Sequence, residues 1–313
     1  MQLAHTNTPA VVKSDADFGS EWLASLSVKA DSVKTYARAL FDFFKYLGAR
    51  GLSLAMVRRP VIVDYLNNAL AGKSDATRAL RLQAIKSFFD FLTADYGYPK
   101  NPAYGVKVKT NKQGFKKEFL TVGQARGLLD AKRGDSIQNK RDIALMAIML
   151  TTGARVGEVQ SADVGDLLTI AGEQCLKIKG KGHNEKDAFL KITPAVAALL
   201  ASYLDARGEL PTNTQSPLFV SHSPRSNGER ISRRAISFIV KETMRSQGID
   251  SPLFTAHSLR HTAAVTAIEN GASLADAQIF LRHTSPTITM RYTHGLEARK
   301  NNCAAKVSNA FFN

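Results

Sequence analysis

Apolar side chains recur at three- to four-residue spacing through the first hundred residues, and each run predicts a helix. Phe18, Trp22, Leu23 and Leu26 outline a short helix over Asp15–Leu26. Val33, Tyr36, Ala37, Leu40, Phe44 and Leu47 outline a second over Ala30–Leu47, with Gly48 and Gly51 as stop signals. Pro60 opens a third helix through Ala71. Gly72-Lys73-Ser74 then breaks the chain before a fourth, Ala76–Tyr96, which carries Leu80, Ile85, Phe88, Phe89 and Leu92. Four such helices can bury their apolar faces on one another. The aromatic runs Phe41, Phe43, Phe44, Tyr46 and Phe88, Phe89, Phe91 therefore read as core in preference to a base-stacking surface. Lys34, Arg38, Arg78, Arg81 and Lys86 fall on the opposite faces, where they either meet phosphates or are simply solvated.

The pattern changes from Asn101 onward, where Pro102, Gly105 and Gly114 break helices and apolar periodicity stops across residues 106–117. A second unit starts near Thr121, which reads as the cap of a helix over Val122–Ala131, and a strongly apolar helix follows over Lys140–Thr151, ended by Gly153. From Val164 the period shortens. Leu167–Ala171, Gln174–Lys179 and Ala188–Ile192 read as short strands around the tight turn Gly180-Lys181-Gly182. Helices return over Pro194–Arg207 and Arg233–Gln247, and the final ten residues, Ala304–Asn313, read as a short helix ending in apolar Ala310-Phe311-Phe312. The expected fold is mainly α: a flexible N-terminus (1–14), an N-terminal four-helix domain (15–105), a basic linker (106–117), and a C-terminal mixed α+β domain with a small antiparallel sheet and a tail helix (118–313).

Composition narrows the function. A chain of 313 residues, 44% hydrophobic and 22% charged, is long enough for a sizeable core and ordinary for a soluble protein. No apolar run reaches the roughly 20 residues of a membrane helix, and the N-terminus lacks a signal-peptide pattern, so the expected location is the cytoplasm. Cys175 and Cys303 form no CxxC pair, which leaves no disulfide scaffold or zinc motif. The formal net charge is +15, and five lysines with no acid crowd into residues 106–117. Lys107, Lys109, Lys112, Lys116 and Lys117 read as a strap across a phosphate backbone, with a solvated linker as the plainer alternative.

The stretch from Phe254 to His294 gathers His257, Arg260, His283 and Tyr292, two proton-transfer groups, a fixed cation and a phenol. A phosphodiester resists attack because its anionic oxygens repel nucleophiles and its transition state gathers more charge. Arginine answers both, since its planar fork gives parallel hydrogen bonds and stays charged. Arg155 and Arg260 suit that role. A general acid for the departing 5′ oxygen and an acceptor for a phenolic proton are also needed, and Lys181 and the histidines can supply them. Among eight tyrosines, Tyr292 follows a histidine-rich stretch, whereas Tyr36, Tyr46 and Tyr65 lie on periodic apolar faces. A phosphotyrosine link keeps the energy of the broken bond and requires no cofactor and no metal. Plainer readings stand beside these: His257 and His261 paired by chance or on zinc, Arg155 and Glu158 as a one-turn ion pair, and Gly180-Lys181-Gly182 as an ordinary hairpin turn.

The order of these pieces resembles the tyrosine recombinase (phage-integrase) family, in its simple Xer-like form without an arm-binding domain. TTGARVGEV looks like the family's first box, with Arg155 as first catalytic arginine and Glu158 as supporting acid. KIKGKGHNEKDAFL resembles its β-hairpin, with Lys181 as catalytic lysine. HSLRH carries over His257 and Arg260, and LRHTSPTITMRYTH carries over His283 and the nucleophile Tyr292. Two departures stand out. Arg282 occupies the place of the glycine in the family's LGH, so that either the backbone there differs or an extra cation reaches DNA. The hairpin turn reads GKGHNEKD, which leaves His183 unassigned and Lys179 and Lys186 as other candidates for the lysine.

The resemblance implies a two-domain clamp on double-stranded DNA, the N-terminal helical domain binding the core site. It implies a homo-tetramer on two DNA sites, a dimer per site, exchanging strands through 3′-phosphotyrosyl intermediates and a Holliday junction, as in integration, excision or resolution. The enzyme of a mobile element fits, and an accessory or partner recombinase is compatible with it. A type IB topoisomerase-like nicking and rejoining activity, and a catalytically silent DNA-binding accessory protein, are the alternatives.

Overall fold

The computed structural model describes residues 13–109, 118–180, 185–208 and 214–283. Lys112, Lys116, Lys117, Lys181, His183, Tyr292 and the terminal segment 304–313 lie outside the described residues. The chain divides into two compact units, Met1–Gln113 and Gly114–Asn313.

In the first unit, α1 (Asp15–Ser25) starts at Ser14, whose hydroxyl accepts from the Asp17 N–H while Asp17 answers on the Ser14 backbone. α2 (Ala30–Gly48) and α4 (Asp75–Asp95) flank it, and α3 (Arg59–Asp64) runs directly into a wide π-type turn, Tyr65–Ala69. Trp22, Phe43, Tyr65, Phe88 and Phe89 are buried at the centre. Trp22 meets Phe88 edge-on at 5.6 Å and Phe43 meets Tyr65 at 5.1 Å. Two expected core positions face outward: Phe41 is 67% exposed and Leu80 42%. Leu40, Phe43 and Leu47 define the inward face of α2, and Phe41 sits about 100° off it, next in sequence but not on the stripe. Of the basic residues on this unit, Lys34 and Arg38 are exposed, whereas Arg81 pairs with Asp42 at 2.5 Å, Arg78 with Asp75 at 2.9 Å, and Lys86 donates to the Val106 carbonyl at 2.7 Å.

The second unit is built on α6 (Ile137–Thr152), buried almost throughout from Arg141 to Met149. α5 (Val122–Asp130), opened by a Thr121–Gln124 capping box, and α8 (Pro194–Arg207) pack against it. α7 (Val156–Gln160) leads to a three-stranded antiparallel sheet, β1 (Leu167–Ile170), β2 (Glu173–Lys179) and β3 (Lys186–Lys191), ordered β1-β2-β3. Ala171 and Gly172, both at positive φ, make the two-residue turn between β1 and β2. Leu176, Ile178 and Leu190 face the core. α9 (Arg233–Ser246), α10 (Ala256–Glu269) and α11 (Leu274–Leu281) complete the unit. The fold is thus mostly helical with one small antiparallel sheet. No helix among the described residues is long and apolar enough to cross a membrane.

Candidate active site

The site forms where two helices end. α6 closes on Gly153, whose φ of 60° is left-handed. A Cβ there would sit 2.7 Å from Leu281 Cδ2, so both the backbone and the space call for glycine. Two residues on, Arg155 caps α7. Its backbone N–H donates to Glu158 Oε2 at 2.8 Å and its Nη1 to Oε1 at 2.5 Å, and Glu158 is 3% exposed.

α10 contributes His257 and Arg260, one turn apart on one face. Arg260 is fully buried. Its Nη1 donates to the Gly153 carbonyl at 2.5 Å and its Nη2 to the Leu281 carbonyl, so one guanidinium joins the ends of α6 and α11. Carbonyls at helix C-termini carry the negative end of the helix dipole, which makes them suitable acceptors for a buried cation.

α11 ends at Arg282, the second left-handed cap, with φ 54° and ψ 46°. A side chain in that conformation costs about 1–2 kcal/mol. Arg282 Nη2 lies 3.0 Å from Glu158 Oε2 and its Nη1 donates to the Phe280 carbonyl at 2.8 Å. Its own carbonyl accepts from Arg155 Nη2 at 3.4 Å. The sequence offers Arg282 to DNA; the fold turns its guanidinium toward Glu158, a direction that local sequence does not reveal. His283 follows, with its N–H on the Gln278 carbonyl at 3.1 Å.

The histidines gather around these cations. His257 and His261 meet edge-to-face at 4.6 Å. Burial, then His257, Arg260 and His283, pushes His261 down to about 3. Burial, then Arg260, Arg155, His257 and Arg282, pushes His283 down to about 4. His257 reaches the surface, yet burial of its ring, followed by Arg260 and Arg155, lowers it too. The imidazoles are held neutral, able to accept a proton or to donate one N–H. His261 was not among the expected catalytic residues; its signal was the i, i+4 spacing from His257 in HSLRH. Among the described residues no group of three His, Cys, Asp or Glu is arranged to hold a metal ion.

The structure distinguishes the neighbouring lysines. Lys186 sits at the connection-side end of the β2–β3 ladder opposite Lys179, with its Nζ 2.7 Å from Asp163 Oδ2 and also on Asp166. Burial works against its charge, but those two carboxylates outweigh it and hold the pKa above the ordinary lysine value. That suits an anchor and not a proton donor near neutral pH. Lys179 is exposed, and Lys107 and Lys109 are exposed in the first unit. The structure therefore brings together Arg155, Glu158, His257, Arg260, Arg282 and His283.

Comparison with known proteins identifies the family of the chain. Residues 118–299 match the phage integrase family and residues 20–95 its N-terminal SAM-like domain. The tyrosine recombinase XerD of Listeria monocytogenes is 29% identical over 90% of this chain and 94% of its own length. The tyrosine recombinase XerC of Herpetosiphon aurantiacus is 30% identical over 88% of this chain and 89% of its own. In fold, the chain is similar to the XerH site-specific recombinase in a post-cleavage complex with difH substrate, with a TM-score of 0.71 at 21% identity, covering 87% of this chain and 79% of that one. A lambda integrase tetramer on a Holliday junction gives 0.69 at 17% identity, covering 88% and 75%. With more than half of its length matched by the family model and a relative 30% identical over most of both chains, this chain belongs to the phage integrase family of tyrosine recombinases.

Proposed function

We propose that this protein is a site-specific DNA recombinase that cuts and rejoins strands through Tyr292. The observation that carries the reading is the meeting of Arg155, Arg260, His257 and His283 at the joined ends of α6 and α11 in a chain of this family. Arg155 and Arg260 hold the scissile phosphate, with Glu158 orienting Arg155. His257 and His283, kept neutral, hydrogen-bond the phosphate and take up the phenolic proton. The Tyr292 oxygen forms a bond to phosphorus as the 5′ oxygen leaves, and Lys181 gives that oxygen its proton. A 5′ hydroxyl from the partner duplex then attacks the phosphotyrosine, a new phosphodiester forms, and the phenol recovers its proton. Bonds made and broken balance, so no cofactor enters.

The enzyme acts as a homo-tetramer on two DNA sites, a dimer on each, in the cytoplasm, passing through a Holliday junction. Lys107, Lys109, Lys112, Lys116 and Lys117 contact backbone phosphates irrespective of sequence. A plasmid carrying two copies of the cognate site tests the reading. Wild type is expected to yield recombinant circles and trapped four-way junctions, and Tyr292→Phe neither. Relaxation of a supercoiled plasmid without any site, by a monomer, would instead favour a topoisomerase, and absence of any cleavage a silent DNA-binding protein.

A further inference from the structure

We propose that Arg282 is a positioning residue of the cleavage site, one that fixes Glu158 and, through Glu158, the Arg155 guanidinium. The inference rests on the recombinase reading above. At this place in the chain the turn requires a left-handed backbone, with φ of 54°, which glycine adopts without strain. Any residue there would present its carbonyl to Arg155 Nη2, as Arg282 does at 3.4 Å. The long cationic side chain adds a second contact, Nη2 to Glu158 Oε2 at 3.0 Å, which brings a charge as well as a donor.

That second contact changes the electrostatics of the site. Glu158 is buried, and Arg155 occupies its Oε1 through Nη1 and reaches its Oε2 through the backbone N–H. A carboxylate paired with a single guanidinium cancels most of the charge that guanidinium can offer a phosphate. With Arg282 sharing the carboxylate, Arg155 stays oriented while more of its positive potential remains for the incoming anion. Arg282 is itself held by the Phe280 carbonyl at 2.8 Å and keeps only 19% of its side chain exposed, so it steadies the site from behind. Its neighbour His283 shares the same turn, which couples that histidine to the same frame.

The variant Arg282→Gly separates backbone from side chain, because it relaxes the turn while deleting the bond to Glu158. On a nicked suicide substrate with saturating protein, the single-turnover cleavage rate is expected to fall about 10- to 100-fold, as small misplacements of catalytic groups do. DNA affinity and its salt slope should stay within about twofold of wild type, relief of the left-handed turn should offset part of the stability lost with the ion pair, and Arg282→Lys should recover part of the rate. In a Glu158→Gln background the same change should have little further effect, since the ion pair it removes is already gone. Wild-type cleavage by Arg282→Gly overturns the proposal, as does a loss of affinity with a salt slope shallower by about one, which would make Arg282 a DNA contact. If wild type itself traps no covalent complex, the recombinase reading fails, and 15N NMR of the Arg155 guanidinium still decides the positioning role. Restricted rotation that disappears in Arg282→Gly supports it, and an unchanged signal overturns it.

Discussion

Two ionic clusters in the second unit teach different lessons. Around the sheet, Asp163 and Asp166 face Lys186 and Arg230, two carboxylates against two cations. Lys186 ties the start of β3 to Asp163 and Asp166, and Arg230 adds bonds to the Ala162 and Gln160 carbonyls, at 2.8 and 3.2 Å. Burial raises Asp163, but Lys186 and Arg230 outweigh it and hold its pKa below the usual carboxylate range. Where α6 and α11 end, the described residues bring three guanidiniums, Arg155, Arg260 and Arg282, against the single carboxylate of Glu158. The balanced cluster staples a strand. In the unbalanced one Arg155 and Arg282 share the one carboxylate while the guanidinium of Arg260 donates to backbone carbonyls, which fix direction without cancelling a full charge, an arrangement suited to an anion.

The comparison breaks most visibly if the two clusters fail to separate activity from stability. Arg155→Ala is expected to lower suicide-substrate cleavage by about 10²–10³-fold, as removal of a transition-state donor does, while urea unfolding shifts little. Lys186→Met should do the reverse, lowering stability by about 1–2 kcal/mol in urea titrations, the lower part of the range for broken ion pairs because the lysine is partly exposed. Cleavage abolished equally in both would erase the distinction.

pH offers a finer probe. His261 and His283 have folded pKa values of about 3 and about 4, below the ordinary 6.5. The unfolded chain therefore binds more protons between those values, so stability is full above pH 6.5 and declines as pH falls toward 4. The slope is about 1.4 kcal/mol per pH unit for each histidine held neutral. Denaturant titrations of wild type and His261→Gln at pH 7, 5.5 and 4.5 check it, with a shallower slope expected in the variant. The smallest effect belongs to the linker. Changing Lys107, Lys109 and Lys112 to Gln should flatten the salt dependence of DNA binding by about 0.9 for each phosphate no longer neutralised, with sequence preference unchanged. An unaltered slope removes the strap from the account.

Much of this was legible in the chain. Helical periodicity located α1, α2 and α4 because those helices bury one stripe each, while the short 3-10 turn at Leu54–Met56 carried no such signal, and the Arg155–Glu158 pair followed from their spacing of three. Phe41 misled because an aromatic run mixes inward and outward positions, and only the turn angle separates them. Helix α3 gave way to a π-type turn at Tyr65–Ala69, whose first residue packs on Phe43. At the site, the acceptors of Arg260 are carbonyls 107 and 21 residues away, and backbone atoms leave no mark in a sequence. The inward turn of Arg282 was hidden for a related reason, since Glu158 is 124 residues distant.

The central claim is that this cationic site serves a covalent step at Tyr292. Peptide mapping by mass spectrometry of the complex trapped on a nicked cognate substrate tests it most directly. The account predicts a single nucleotide-modified peptide containing Tyr292 and linked through a 3′ phosphate; modification at another residue, or a 5′ linkage, would contradict it.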